Sequence, residues 1–518
     1  MKTNFSLKAL AAAALATAAF TSAEAQLSLG TECGCPELSQ RTTVSLSSIA
    51  AQGGATDELT GVVELTCDNV YTIDGLLYVP DGSQLFIEPG TVLRGEFGEA
   101  EDANALVVSR GGQIFANGNA HCPIIFTDEN DPLDGTYSVD IRGQWGSLIV
   151  LGRATNNLLL ADGDLAVADG VGTIEGLVPG DSRNHYGAAP GAEVDTDNSG
   201  VLRYVSLRHG GTNIGDGNEI NGLTLGSVGS GTTLEYIEVL SNDDDGIEFF
   251  GGTCDMKYAT ILFCNDDYID WDQGYSGRIQ YVFGVMLPAF GDLNAQGDEG
   301  FEVDGDDQDS DNSPLSNPTV YNATMIGRGA NRGILAKERT QGEISNSIFA
   351  NFPQGVDLAQ EEDRLQDAYD EYLAGNLVFQ NNSFAGVADN LTANNAADAT
   401  AQAIFDAAGN IDDETVIDFS FTIDPTTNAV TDAYNAVPAV GDAASSLTAP
   451  NDGFFDPVAF RGAFKPGAAP WTAGWTTGAL LETDNALIAC PEDINEDGTI
   501  NVLDFLELNS AFGTDCGI

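Results

Sequence analysis

Positive charge is scarce in this chain of 518 residues: 19 lysines and arginines stand against 79 aspartates and glutamates, for a formal charge of −60. A surface so acidic repels nucleic acid and anionic bilayers, which excludes both as partners, and it attracts divalent cations. Histidine is nearly missing, with three in all. Long apolar runs are absent beyond the amino end, so no later segment spans a membrane. The one such run, Ala9 to Phe20, follows Lys2 and Lys8 and precedes the small-residue site Ala23-Glu24-Ala25. It is too short to cross a bilayer and has the layout of a secretory signal over residues 1–25. The mature chain is expected to start near Gln26 and to be secreted, extracellular or at the cell surface. Turn signals at hairpin spacing are also lacking, which argues against an antiparallel array.

What the chain has instead is a repeated acidic grammar. Asp244-Asp245-Gly246-Ile247-Glu248, Asp266-Asp267-Tyr268-Ile269-Asp270 and Asp298-Glu299-Gly300-Phe301-Glu302 share one pattern. Asn331-Arg332-Gly333-Ile334-Leu335 and Pro353-Gln354-Gly355-Val356-Asp357 follow it more loosely, and successive copies are offset by 22, 32, 33 and 22 residues. Strand-like segments precede the copies in fixed phase: Leu202–Leu207, Leu234–Val239, Met256–Ile261, Ile279–Phe283, Val320–Met325 and Ile344–Phe349. Their alternation suits strands with one buried face. Two strands per period in this phase predict the rungs of a parallel β-helix, in which Gly246, Tyr268, Gly300, Gly333 and Gly355 superpose.

Further rungs are expected from Tyr71 onward, through Gln84-Leu85-Phe86-Ile87-Glu88-Pro89-Gly90-Thr91, Ala116-Asn117-Gly118 and Cys122-Pro123-Ile124-Ile125-Phe126. On these segments the chain resembles right-handed parallel β-helix proteins of the pectin-lyase-like superfamily, over roughly residues 71–390. The resemblance implies an all-β, right-handed solenoid; it is weak for function, since that superfamily holds lyases, hydrolases, adhesins and structural proteins. The domain reading is a signal peptide at 1–25, a cysteine-containing cap at 26–70, the β-helix with its closure at 71–487, and a small module at 488–518. Helical inserts are expected from Asp357 to Leu373 and from Thr392 to Ala408. The aromatic run Phe454 to Phe464, with Trp471 and Trp475, is expected to close the carboxyl end of the solenoid.

Eight cysteines in an exported chain point to disulfides. Cys33, Cys35, Cys67 and Cys122 are expected to lock the cap, and Cys490 to pair with Cys516. Cys254 and Cys264 sit at opposite ends of one predicted strand, too far apart to join, and read as unpaired core residues.

Asp493-Ile494-Asn495-Glu496-Asp497-Gly498-Thr499-Ile500-Asn501-Val502-Leu503-Asp504 matches a calcium loop. Oxygens from Asp493, Asn495 and Asp497, the Thr499 carbonyl and Asp504 would surround a hard cation, with Gly498 allowing the sharp turn. The loop is similar to a dockerin type I repeat, which ends on Asp. Dockerins carry two repeats and this chain shows one, which leaves a cohesin-like partner in doubt and favours a calcium-stabilised terminal module or attachment tag. Asp195–Gly200 and Asp304–Asp311 are acidic loops that complete no ligand set.

Rungs stack about 4.8 Å apart. Carboxylates at that spacing repel by roughly 0.9 kcal/mol even at the dielectric of water. The columns Asp245-Asp267-Glu299 and Glu248-Asp270-Glu302 therefore need a cation, a basic neighbour or a retained proton. Arg332 falls beneath Glu299 and Lys337 beneath Asp304, so compensation is expected at the lower end only. Two readings follow. In one, the protein is a calcium-binding, adhesive or glycan-interacting surface protein whose partner is a polysaccharide or matrix component. In the other, resemblance to β-helix lyases and hydrolases makes Asp245, Asp267, Glu299, Arg332 and Lys337 catalytic candidates on acidic polysaccharide. Neither Gly-His-Gly nor Arg-x-Lys occurs, and His209 is the histidine nearest before the acidic rungs. Phe249, Phe250, Trp271 and Tyr275 flank these rungs and read as packing residues before sugar platforms.

Overall fold

The computed structural model describes residues 33–161, 165–174, 177–178, 180–215, 218–286, 297–305, 312–328, 331–360, 366–419, 422–424, 429–432 and 436–477. The signal segment, Cys490, Cys516 and the 493–504 loop lie outside them. Within them the chain winds as a parallel β-helix. One face is a ten-stranded parallel sheet running from Leu76–Val79 through Leu148–Leu151, Leu223–Gly226, Ile247–Phe250, Ile269–Asp272, Phe301–Val303 and Arg332–Ala336 to Asp389–Ala393. Ile247, Ile269, Phe301, Ile334 and Val356 pair in register. Their side chains point inward and are fully buried. The five superposed positions are thus one storey apart, as the repeat predicts. Gly246 and Gly300 suit this stack because a Cβ there would meet the next rung's carbonyl, of Tyr268 or Gly333, at 2.6 Å.

Two strands per turn holds through the acidic rungs, where Thr233–Leu240 alternates with Ile247–Phe250 and Met256–Leu262 with Ile269–Asp272. Early turns carry three, such as Ala105–Val108, Gln113–Asn117 and Ile124–Asp128. Later, the second and third fuse: Gly200–Arg208 pairs with both Gln113–Asn117 and Ile124–Asp128. The fused strand bends at a left-handed residue, Tyr204, Tyr236, Tyr258 and Tyr281 in four successive turns (φ 49°, 55°, 60° and 64°), then Asn322, Asn346 and Asn381. Asparagine tolerates this conformation and tyrosine pays a steric penalty. Stacking offsets it: the four rings lie 4.3, 4.4 and 4.8 Å apart between successive centroids.

The aromatic carboxyl-terminal run does not close the solenoid. It lies along this bend instead, meeting Lys257 at Asp456, running out to Asn381 at Arg461 and returning toward the amino end at Trp475. Ser446 donates to Asn381, the Phe460 carbonyl accepts from Asn322, Lys257 pairs with Asp456 at 3.0 Å, and the Thr477 amide donates to Glu238. Trp471 and Trp475 set their edges against the tyrosine stack. A bend of stacked rings is a laterally exposed apolar strip, and covering it buries more aromatic surface than capping one rung. The carboxyl end is closed instead by two short helices, Ala368–Ala374 and Ala399–Ala407, which bury Tyr372 and Phe405 against Phe379 and Phe384. Both helices are shorter than the inserts expected from sequence; Asp357, Leu358 and Thr392 belong to strands. A third helix, Leu46–Gly53, caps the amino end with Leu46 and Ala50. Parallel pairing already includes Thr42–Ser45, inside the segment read as cap.

Burial under the strap pushes the Tyr204 phenol up to about 12, and Tyr236, Tyr258 and Tyr281 are raised too, in each case chiefly by desolvation. A free tyrosine ionises near about pH 10. Because the folded pKa is raised, the protection favours the native state below that value and is lost as pH climbs through it. In an alkaline absorbance titration, the Tyr204→Phe variant should follow the parent curve up to about pH 11. A smaller rise in the variant before that point would show the ring to be uncovered.

Candidate functional site

The outer face of the ten-stranded sheet changes character along its length. Toward the amino end it is apolar, and Ile149 and Phe250 are covered by an antiparallel insert of Ala166–Ala168, Val171–Thr173 and His185–Gly187 that brings Leu158, Ile174 and Tyr186 onto them. From Ile247 onward it is acidic. Glu248, Asp270 and Glu302 are register partners on successive strands. Asp245, Asp267 and Glu299 form the neighbouring column in the turn before each strand.

The turn column is built into the backbone. The Asp267 amide donates to Asp245 Oδ1 at 2.9 Å, and the Glu299 amide donates to Asp267 Oδ1 at 2.6 Å. Each carboxylate thus ties its rung to the next. Glu299 has a different partner: Arg332 Nε donates to its Oε1 at 2.6 Å, and Arg332 Nη1 lies 3.6 Å from Asp357. Lys337 Nζ contacts Glu302 Oε1 at 2.5 Å and Asp304 Oδ2 at 3.3 Å. Arg332 and Lys337 therefore sit where the sequence places them, at the lower end. One more cation flanks the upper end: Arg142, from the 129–145 insert, acts on Asp243. No repeat could reveal it, since it comes from a loop about a hundred residues upstream of Asp243.

Electrostatics follow from this asymmetry. Burial, reinforced by neighbouring carboxylates, holds Asp245, Glu248 and Asp267 well above the ordinary carboxylate range. Burial, with Asp298 and Glu302 nearby, pushes Asp266 up to about 6. Glu299 is pushed up to about 7 by burial, against the opposing pull of Arg332. Burial would raise Glu302 as well, but Lys337, Asp267 and Arg332 bring it below its usual value. A carboxyl raised in the folded state stabilises it in acid, and that contribution disappears as pH rises through the shifted value. Without added cations, the upper columns therefore oppose folding at neutral pH.

The other residues singled out by the sequence lie apart from these columns. His209 is buried, with Nδ1 2.6 Å from the Ile141 carbonyl and Tyr137 edge-on to its ring, so it is packing and not a groove base. Phe249, Trp271 and Tyr275 are core residues and Phe250 lies under the insert, so none offers a sugar platform. Asp195 in the Asp195–Gly200 loop accepts from the Thr155 amide and hydroxyl. Cys254 and Cys264 are buried free thiols. Asp493, Asn495, Asp497, Thr499 and Asp504 lie outside the described residues.

The sequence reading missed Leu148–Leu151 and Leu223–Gly226 as rungs of this sheet. Leu223–Gly226 precedes Ile247–Phe250 in the sheet and places Thr224 beside Glu248. Asn221 donates through Nδ2 to Glu248 Oε2. The signal was present: Asn221-Gly222-Leu223 is another polar-glycine-apolar triplet, but it lacks the acidic pair that marked the others.

Residues 56–433 match the family described as the pectate-lyase like beta helix domain, and the chain belongs to that family. Among solved structures it is similar to the catalytic unit of a thermostable GH87 alpha-1,3-glucanase from Streptomyces thermodiastaticus strain HF3-3. That similarity has 13% identity and a TM-score of 0.30, over 72% of this chain and 67% of the other. No curated protein matches the chain. Among the described residues, no helix is long and apolar enough to cross a membrane.

Proposed function

We propose that the protein is exported and works outside the cell as a polysaccharide-binding β-helix, engaging a glycan along the acidic face of its ten-stranded sheet. The observation that carries this reading is a sheet face lined by carboxylate columns that end on Arg332 and Lys337. Acidic side chains and a flanking cation suit hydroxyl-rich or, through bound metal, uronate-bearing polymers. Export rests on residues 1–25 and on the disulfides Cys33–Cys122 and Cys35–Cys67, which persist in oxidising compartments. The 493–504 loop, with Asp493, Asn495, Asp497, Thr499 and Asp504 around calcium, would serve as a terminal attachment module. A cohesin-like partner is the less favoured use of a single repeat.

Binding is preferred to turnover because the catalytic candidates are already engaged. Asp245 and Asp267 hold backbone amides. Lys337, though burial opposes its charge, is raised above its usual pKa by Asp304 and Glu302, which makes it a poor base. Arg332 is committed to Glu299 and Asp357. The test is a panel of neutral and uronate polysaccharides, with calcium or EDTA, followed by pull-down and by ultraviolet absorbance. Retention without product supports the proposal. Unsaturated product would assign a lyase instead, and failure to retain any member would end the glycan reading.

A further inference from the structure

We infer that Arg142 and Asp243 form a sugar subsite at the upper end of the acidic face, one that takes the adjacent hydroxyls of a neutral sugar and not a carboxylate. The inference rests on the reading of this face as glycan-binding and names the class of sugar it takes there.

One carbonyl pins both elements of the pair. The Gly210 oxygen accepts from the Gly143 amide at 2.7 Å and from the Asp243 amide at 3.2 Å, which ties the insert carrying Arg142 to the turn carrying Asp243. The approach is close enough to need glycine: a Cβ at Gly143 would stand 3.1 Å from Asp243 Oδ2, and its backbone lies at φ 67°. Asp243 directly precedes Asp244 and Asp245, so the pair borders the first storey of the acidic turn column. Both side chains are only partly buried, within reach of a ligand lying on the face.

The two charges are neighbours that do not join. Burial raises the Asp243 carboxyl against the pull of Arg142, so each acts on the other. Among the described residues they nevertheless form no ion pair, and the Asp243 carboxylate accepts no hydrogen bond. Arg142 donates from Nη2 to the Val139 carbonyl at 3.4 Å, and its enclosed Nε has no partner. Arg332 and Lys337, by contrast, are each paired with two carboxylates. A guanidinium and a carboxylate with donors and acceptors to spare suit a group that can both give and take. A sugar hydroxyl is such a group: its O–H donates to Asp243, and its oxygen accepts from Arg142. Adjacent hydroxyls also match the fixed fork of the guanidinium. A uronate carboxylate can only accept, and it would lie beside Asp243 and Glu219, whose charge reaches Asp243 as well.

The experiment titrates the full chain, in EDTA, with neutral and with uronate oligosaccharides by calorimetry. The parent should bind a neutral oligosaccharide. Arg142→Gln and Asp243→Asn should each weaken that binding by about tenfold or more, the effect of losing a hydrogen bond to a charged group. The double variant should bind little worse than either alone, because one sugar spans both side chains. If Arg142→Gln fails to fold, as judged by circular dichroism, Asp243→Asn decides. Unchanged binding of the neutral ligand by folded Asp243→Asn overturns the inference and leaves glycan binding standing. So does a parent that binds uronate oligosaccharides alone, or an Asp243→Asn variant that binds them more tightly while Arg142→Gln loses them, since the subsite would then take a carboxylate. A parent that binds no glycan, with or without calcium, ends the glycan reading and this inference with it.

Discussion

Replacing Arg332 by alanine is expected to destabilise the lower rungs by about 3–5 kcal/mol, the range for stranding buried charge after loss of its partner. The Glu299 and Asp357 side chains are each 3% exposed, and Arg332, at 23%, contacts both. Among the described residues Arg332 is the cation paired with both, so truncation leaves two carboxylates in a poorly solvated site. The loss should appear as a lowered midpoint in denaturant, followed by circular dichroism. Adding Glu299→Gln to Arg332→Ala should restore part of it, since an amide needs no counter-ion. The deficit should shrink in acid as Glu299, already raised to about 7 in the intact protein, takes up a proton. A variant within about 0.5 kcal/mol of the parent would place Arg332 with ordinary surface residues and contradict the pairing.

Opening the Cys33–Cys122 bridge is expected to loosen the amino-terminal turns by about 4–5 kcal/mol. The figure follows from the loop entropy of a crosslink spanning 89 residues, and Cys35–Cys67, spanning 32, contributes about 4 kcal/mol by the same account. Both bridges pin residues 33–35 against the turn at Gly90, where an added Cβ would lie 3.0 Å from the Cys35 sulfur. Because solenoid rungs contact only their neighbours, the damage should stay local. Limited proteolysis of Cys33→Ser/Cys122→Ser should cut before about residue 130 while the central rungs survive. Uniform loss of protection along the whole chain would instead show that the solenoid unfolds as one unit.

The central rungs were legible because their information is local and repeated. Asp245, Asp267 and Glu299 announce one column, Glu248, Asp270 and Glu302 another, and the insertion-corrected offsets bring Arg332 under Glu299 and Lys337 under Asp304, where both make ion pairs. The four amino-terminal cysteines pair among themselves as expected. What escaped has no repeat to announce it. Asn221 and Thr224 sit on a rung whose acidic marker is missing. Arg142 reaches the upper face from an insert, and the strap of Trp471 and Trp475 meets Tyr204 and Tyr236 across more than two hundred residues of chain.

Alone, the sequence determined the winding, the inward apolar columns, the outward acidic ones and the excess of negative charge, because side-chain alternation and repeat length act between adjacent rungs. Tertiary structure decided which carboxylates are buried, which amides they hold, and where the carboxyl-terminal run lies. Those outcomes depend on surfaces that exist only after the rungs have stacked: a strip of tyrosine rings to cover, open solenoid ends for helices to close, and a sheet face half hidden by an insert.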